Sequence, residues 1–172
     1  MIEEKNWNDN RRESDYAHAQ ERESFAGWLA EAAPWQFFLT LTFRERIGTW
    51  GAERRLARYL FEISSFSNTD RGLFWVFAFE MQRARGVPHC HGIFACTSQS
   101  ATITGETLQH CWRRNGYSRI VPAQTGAALR YLSKYVFKSL DSKIFLSLGE
   151  SIARSGLPYE DLTERGIIDK KT

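Results

Sequence analysis

The sequence predicts an α+β fold in which a central antiparallel β-sheet of about five strands packs against flanking helices. Segments rich in aromatic and β-branched residues, which are typical of strands, alternate along the chain with segments of helical period. Two strand segments, 73–82 and 86–96, are joined through a short turn centred near Arg85 and Gly86. Such a short connection indicates a hairpin and therefore an antiparallel sheet.

Length and composition favour a single folded unit. A chain of 172 residues that is 42% hydrophobic can bury its own core, so we expect one domain over 1–172. Within it we expect an N-terminal helix in 1–33, a core at 34–141 and a C-terminal extension at 142–172. The three cysteines are odd in number, which predicts free thiols in the cytoplasm. The longest apolar stretch, 73–79, is too short to cross a membrane.

The first part of the chain reads as helix, strand and helix. Residues 8 to about 32 place apolar side chains near a helical period, and Pro34 ends that helix. Residues 35–43, "WQFFLTLTF", are predicted to form a central strand because aromatic and branched side chains predominate. Residues 51–64 return to helical spacing.

The part that follows the hairpin adds further helices and an edge strand. Residues 105–116 are predicted to form a helix whose last residue is a glycine, which commonly ends helices. Residues 117–123 read as an edge strand, because Pro122 cannot donate a backbone hydrogen bond. Residues 126–140 have strong helical spacing, and 143–155 have weaker helical spacing.

Two histidines lie two positions apart in the second strand of the hairpin, within "GVPHCHGIFAC". Residues i and i+2 of a strand point the same way, so His89 and His91 share one face while Cys90 points to the other. The pair either binds a metal ion or packs for structural reasons, and the triplet alone does not decide between them.

A carboxylate on the neighbouring strand favours the metal interpretation. With the turn centred as above, Glu80 lies opposite His91 and Gln82 opposite His89, all on one face. Two imidazoles and a carboxylate suit a divalent cation such as Mn²⁺ or Mg²⁺ that acts on a substrate. Gln82 is the reserve ligand should the register differ. The alternative is a glutamate at a strand end that faces water.

The helix predicted at 126–140 carries two tyrosines one turn apart, in "YLSKYVFK". Tyr131 and Tyr135 lie on the same face, and Lys134 and Lys138 follow each of them by three residues. Tyrosines at this spacing can be ordinary core contacts. A phenol is a poor nucleophile at neutral pH, and nearby lysines or a metal ion would favour its reactive phenolate form.

The order of these motifs resembles that of a known superfamily. The stretch "FLTLTF" at 38–43 places Thr40 and Thr42 on one face of a strand. Followed by H-x-H and Y-x-x-K, it resembles the three-motif signature of HUH endonucleases, the replication initiator (Rep) and relaxase superfamily. The paired tyrosines look most like those of phage and plasmid rolling-circle initiators. The resemblance spans roughly 37–141, and it departs from the usual pattern at Cys90, where a bulky hydrophobic residue is usual.

The resemblance implies an RRM-like topology and specific roles. His89, His91 and Glu80 would hold the divalent metal, Tyr131 and Tyr135 would be the nucleophiles, and Lys134 and Lys138 would orient the phosphate. Thr40 and Thr42 fall in a motif whose role in the superfamily is mostly structural. The implied reaction is the nicking of single-stranded DNA through a 5′-phosphotyrosine, which leaves a free 3′-hydroxyl.

Arginine clusters provide candidate DNA contacts. On charge alone they are either solvated surface or a phosphate-binding surface, since the net charge of the chain is only +3. The candidates for DNA binding are Arg83, Arg85, Arg113, Arg114 and Arg130.

The sequence therefore predicts an endonuclease that initiates rolling-circle replication by nicking and joining single-stranded DNA at an origin, with or without a hairpin. No Walker motif G-x-x-x-x-G-K-S/T occurs, so unwinding and synthesis would depend on a host helicase and polymerase. One alternative is a transposase or relaxase of the same superfamily. Another is a noncatalytic module that binds single-stranded nucleic acid, in which the histidines are structural.

Overall fold

A computed structural model describes residues 7–66, 72–82, 86–97, 103–123, 126–138 and 144–148 of the chain. In chain order, the elements are α1 Trp7–Ala32, β1 Phe37–Phe43, α2 Thr49–Phe66, β2 Leu73–Gln82, β3 Val87–Cys96, α3 Gly105–Trp112, β4 Gly116–Pro122, α4 Ala127–Lys138 and β5 Ile144–Leu148. No helix in these ranges has both the length and the apolar character that a membrane span requires.

The five strands form one antiparallel sheet in the order β4-β1-β3-β2-β5. From β1 to β4 the elements follow the pattern βαββαβ, with the two helices α2 and α3 as connections. This pattern with the order β4-β1-β3-β2 is the arrangement of ferredoxin-like and RRM-like domains. The predicted α+β fold is therefore confirmed, and β3 is the middle strand of the sheet.

The two faces of the sheet are covered by different helices. Alternate residues of β1 point to opposite faces, so Leu39 and Leu41 pack with α2 and α3 while Phe38 packs with α1 and α4. Cys90 of β3 belongs to the α2 and α3 side, and His91 points to the other side. The cysteines at 90, 96 and 111 are all buried and free, as predicted.

Two predicted elements differ from the structure. The helix predicted over 105–116 ends at Trp112, and its terminal glycine, Gly116, is instead the first residue of β4. The helix predicted over 143–155 is wrong at 144–148, which form β5 and pair with β2. The apolar sequence "IFLSL" suits either structure, and the open edge of β2 supplies the hydrogen-bonding partner that makes it a strand. Residues 149–155 lie outside the described part of the chain.

The hairpin register also differs from the prediction. Glu80 pairs with His89 rather than His91, and Gln82 pairs with Val87 rather than His89. The predicted register was wrong because the turn begins earlier than its sequence suggested. A slip of two residues leaves every side chain on its original face, so Glu80 still points to the side of the histidines.

A glycine next to the histidines allows the opposite face to pack tightly. A Cβ atom at Gly92 would lie 2.0 Å from Cδ1 of the buried Phe77 ring on β2. No side chain fits there unless the ring moves. Gly92 therefore lets β3 carry its histidines on one face while a large aromatic ring covers the other.

Candidate active site

Threonines of β1 hold the histidines of β3. Thr42 pairs with His89 and Thr40 with His91 across the β1–β3 ladder. The distance from Thr42 Oγ1 to His89 Nδ1 is 2.9 Å, and that from Thr40 Oγ1 to His91 Nδ1 is 3.3 Å. The two imidazole rings are nearly parallel, with an interplanar angle of 13° and centroids 6.5 Å apart. Each ring therefore turns its Nδ1 toward β1 and its Nε2 away from it.

Glu80 extends the same row of side chains onto β2. Thr42, His89 and Glu80 are consecutive cross-strand neighbours on β1, β3 and β2. The carboxylate also reaches diagonally to the second histidine, with 3.5 Å between Glu80 Oε2 and His91 Nε2. A carboxylate thus lies beside the imidazole nitrogen that faces away from β1.

These side chains have the chemistry of a divalent metal site. Imidazole nitrogens with a carboxylate oxygen suit Mn²⁺ or Mg²⁺, and a hydrogen bond to the other ring nitrogen is the usual support of a metal-bound histidine. The described side chains nevertheless include no group of three His, Cys, Asp or Glu arranged to hold an ion. The donor types fit a metal, and the assignment of His89, His91 and Glu80 as ligands stays a prediction.

Helix α4 brings both tyrosines to the histidines. The ring of Tyr135 stacks on that of His91, with centroids 4.0 Å apart and an interplanar angle of 16°. Tyr135 O–H donates a hydrogen bond to the hydroxyl oxygen of Tyr131, at 2.6 Å. Tyr131 in turn lies edge-on to Phe38 of β1. The two phenols and the nearer histidine therefore form one continuous cluster.

The two tyrosines differ in their environment. Tyr135 is 6% exposed, whereas Tyr131 is 45% exposed. Burial, with smaller contributions from Tyr131 and Glu80, raises the pKa of Tyr135 well above that of a free phenol. The buried phenol is therefore held in its neutral form, in which it donates to the exposed one.

The remaining predicted residues of this group are placed less closely. The Lys134 Nζ atom is 6.0 Å from the centre of the Tyr135 ring, and its side chain is exposed. The side chains of Lys138 and Gln82 lie outside the described part of the structure, although the backbones of both are described.

The predicted arginines are not gathered at the histidines. Arg114 forms an ion pair with Glu62 of α2, on the opposite side of the sheet. Arg113 is the C-cap residue of α3, and Arg130 of α4 forms an ion pair with Glu23 of α1 at 3.6 Å. Arg83 and Arg85 lie outside the described residues.

Two further residues on the face of the histidines were not predicted. Tyr117 of β4 pairs with Thr42, and Arg119 of β4 pairs with Thr40. The alternation in "YSRI", with an aromatic and a basic residue two positions apart in an edge strand, is the sequence signal that marks them. Cys90 points away from the site, and burial raises the pKa of its thiol.

Comparison with known proteins defines the class of this protein. The sequence model of the replication-associated protein ORF2 family matches residues 36–140, which is more than half of the chain. The chain belongs to this family of replication-associated proteins. Membership supports a role as a replication initiator and implies an interaction with DNA. No curated protein and no solved structure matches the chain.

Proposed function

We propose that this protein is a metal-dependent HUH endonuclease that nicks and rejoins single-stranded DNA to initiate rolling-circle replication of a phage or plasmid. The observation that carries the proposal is the contact between His91 and Tyr135, because it joins the H-x-H strand to the tyrosine helix at 4.0 Å. Membership of a replication-associated family supports the same conclusion.

His89, His91 and Glu80 would hold the divalent ion. Bound there, Mn²⁺ or Mg²⁺ would stabilise negative charge on a scissile phosphate. Thr40 and Thr42 would orient the rings, because a hydrogen bond at Nδ1 directs Nε2 toward the carboxylate. These threonines thereby acquire a positioning role beyond their contribution to the strand.

A tyrosine of α4 would supply the nucleophile. Its hydroxyl oxygen forms a bond to the scissile phosphorus, and the bond from phosphorus to the 3′ oxygen breaks. The phenol loses its proton and the leaving 3′ oxygen gains one, which yields a 5′-phosphotyrosine and a free 3′-hydroxyl. The reverse reaction joins the ends without a nucleotide cofactor, because the phosphoester is kept in the covalent link. Lys134 and Lys138 would orient the phosphate.

Both tyrosines are candidates, in different roles. Tyr131 is exposed and accepts a hydrogen bond from Tyr135, so its oxygen is accessible and keeps a donor as negative charge develops. Tyr135 lies behind it, against His91. We propose that Tyr131 attacks first and that Tyr135 acts in a later round, once Tyr131 carries the parent strand.

A relaxase or transposase of the same superfamily would share this chemistry and differ in the DNA it processes. A noncatalytic single-strand-binding module is the alternative from another class. The second is favoured by the absence of a three-donor metal group among the described side chains. In it, the His91 ring would act as a packing partner for Tyr135.

Covalent capture of DNA tests the proposal. The protein is incubated with Mn²⁺ and single-stranded fragments tiling the genome that encodes it, and adducts that survive denaturation are mapped by mass spectrometry. We expect adducts on Tyr131 and Tyr135, none in EDTA, and none with the double variant Tyr131→Phe/Tyr135→Phe. Each single tyrosine variant should retain some cleavage.

Histidine variants separate catalysis from binding. His89→Ala and His91→Ala should form no adduct, whereas His18→Ala, which alters a histidine on the distant helix α1, should behave as wild type. Undiminished adduct formation by either site variant would contradict the metal assignment. Binding of DNA without any adduct on any fragment would support the noncatalytic module.

A further inference from the structure

The rows of side chains that contain the histidines continue onto the outer strand of the sheet. One row consists of Tyr117, Thr42, His89 and Glu80, which are successive neighbours on β4, β1, β3 and β2. The adjacent row begins with Arg119 and continues through the threonine and histidine at 40 and 91. Both rows lie on one face, so Tyr117 and Arg119 belong to the same surface as the candidate site.

These two side chains are open to solvent. Tyr117 is 70% exposed and Arg119 is also exposed, whereas Ser118 between them is 6% exposed and faces the other layer. Within the described part of the chain, neither Tyr117 nor Arg119 has a hydrogen-bond, ion-pair or ring partner for its side chain. An aromatic ring and a guanidinium group are thus presented without a structural use in the folded core.

The position of Tyr117 is fixed by the backbone rather than by contacts of its ring. A Cβ atom at Gly116 would lie 2.0 Å from the backbone oxygen of Thr42, so only glycine allows β4 to begin this close to β1. Trp112 reinforces the approach by donating from Nε1 to the same Thr42 oxygen, at 3.3 Å. The ring at 117 is therefore held at a defined place while remaining free to contact a ligand.

Resting on the proposed function, we infer that Tyr117 and Arg119 form a subsite for the single-stranded DNA that flanks the nick. β4 and β3 are separated by two strand spacings, so the subsite lies about 10 Å from the histidines. An exposed aromatic ring stacks on an unpaired base whatever its identity, and a guanidinium binds phosphate. Tyr117 stacks on one base and Arg119 contacts the backbone, which directs the strand across the sheet toward the tyrosine helix.

The chain offers a matched control on the opposite layer. Phe61 is 64% exposed and Arg58 is exposed, and both lie on α2. This pair has the same combination of an aromatic and a basic side chain, but α2 packs on the face of the sheet that lacks the histidines. A surface that bound DNA through unspecific charge and aromaticity would depend on both pairs equally.

Equilibrium binding by a cleavage-deficient protein tests the subsite. The parent is Tyr131→Phe/Tyr135→Phe, and the probe is a fluorescein-labelled single-stranded DNA of random sequence, followed by anisotropy. Tyr117→Ala should weaken binding by at least about fivefold, the lower end of the effect of one stacked base. Tyr117→Trp should restore it. Arg119→Ala should weaken binding and reduce the slope of log affinity against log salt by about 0.7.

The outcomes distinguish the subsite from the function on which it rests. The variant Arg58→Ala/Phe61→Ala should bind like the parent, and a duplex of the same composition should compete poorly. Binding by the parent that is unaffected by changes at 117 and 119, or affected equally by the control pair, overturns the subsite alone. A parent that binds no single-stranded DNA overturns the subsite and the proposed function together.

Discussion

The contact between Thr42 Oγ1 and His89 Nδ1, at 2.9 Å, is the shortest link between the first motif of the chain and its histidines. When Nδ1 carries the proton and donates it to the threonine, Nε2 keeps the lone pair that a metal requires. The hydroxyl thus selects which nitrogen is available. A strand residue that looks structural in the sequence controls the chemistry of its cross-strand neighbour.

Replacing this hydroxyl should weaken metal binding without disturbing the fold. Thr42→Val keeps the branched shape and removes the hydrogen bond, so we expect the affinity for Mn²⁺ to fall by about tenfold or more. Titration of the protein with Mn²⁺, followed by electron paramagnetic resonance, measures the affinity directly. Thr42→Ser keeps the hydroxyl and should bind nearly as well as wild type. Equal affinities of the valine and serine variants would exclude a positioning role.

At the scale of the element, strand β3 must satisfy two different faces. Its histidines point toward α4, while the residues between them point into the core, where the Phe77 ring covers Gly92. The glycine is part of the packing of the strand, because any side chain there would displace a buried aromatic ring from both its neighbours.

Two glycine substitutions should have opposite effects on stability. Gly92→Ala should lower the free energy of unfolding by about 1–3 kcal/mol, since its Cβ overlaps a buried ring. Gly27→Ala should raise it by up to about 1 kcal/mol, because this glycine lies inside α1 with no atom near the added Cβ. Urea denaturation followed by circular dichroism gives both values. A Gly92→Ala protein as stable as wild type would show that the Phe77 ring relaxes at no cost.

The elements also show which features a sequence can predict. Strands β1 to β4 were predictable because each carries its own aromatic and branched residues. Strand β5 was not, because its state is decided by the free edge of β2, which is remote in sequence. The face of Glu80 was predictable from the period of two, whereas its partner depended on the turn. The contacts of Thr42 with His89 and of Tyr135 with His91 require the assembled sheet, so spacing alone could not reveal them.

At the scale of the whole molecule, the sheet separates stability from chemistry. The side covered by α2 and α3 holds most of the large buried side chains, such as Trp75 and Trp112. On the other side, α1 and α4 cover one part and leave the surface from Tyr117 to Glu80 partly exposed. Substitutions on that open surface should therefore alter DNA binding and cleavage more than they alter folding.

The position of β3 in the middle of the sheet has a consequence for how the site can be lost. β3 has a hydrogen-bonded strand on each side, so its amides become accessible to solvent only when the sheet itself comes apart. In native-state hydrogen exchange, we expect the β1–β3 ladder around His91 to exchange only through global unfolding, with a free energy equal to that from urea denaturation. Amides on the outer edge of β4 should exchange much sooner through local opening. Fast exchange at β3 would contradict this, whereas slow exchange would mean that the two histidines stay aligned for as long as the protein is folded.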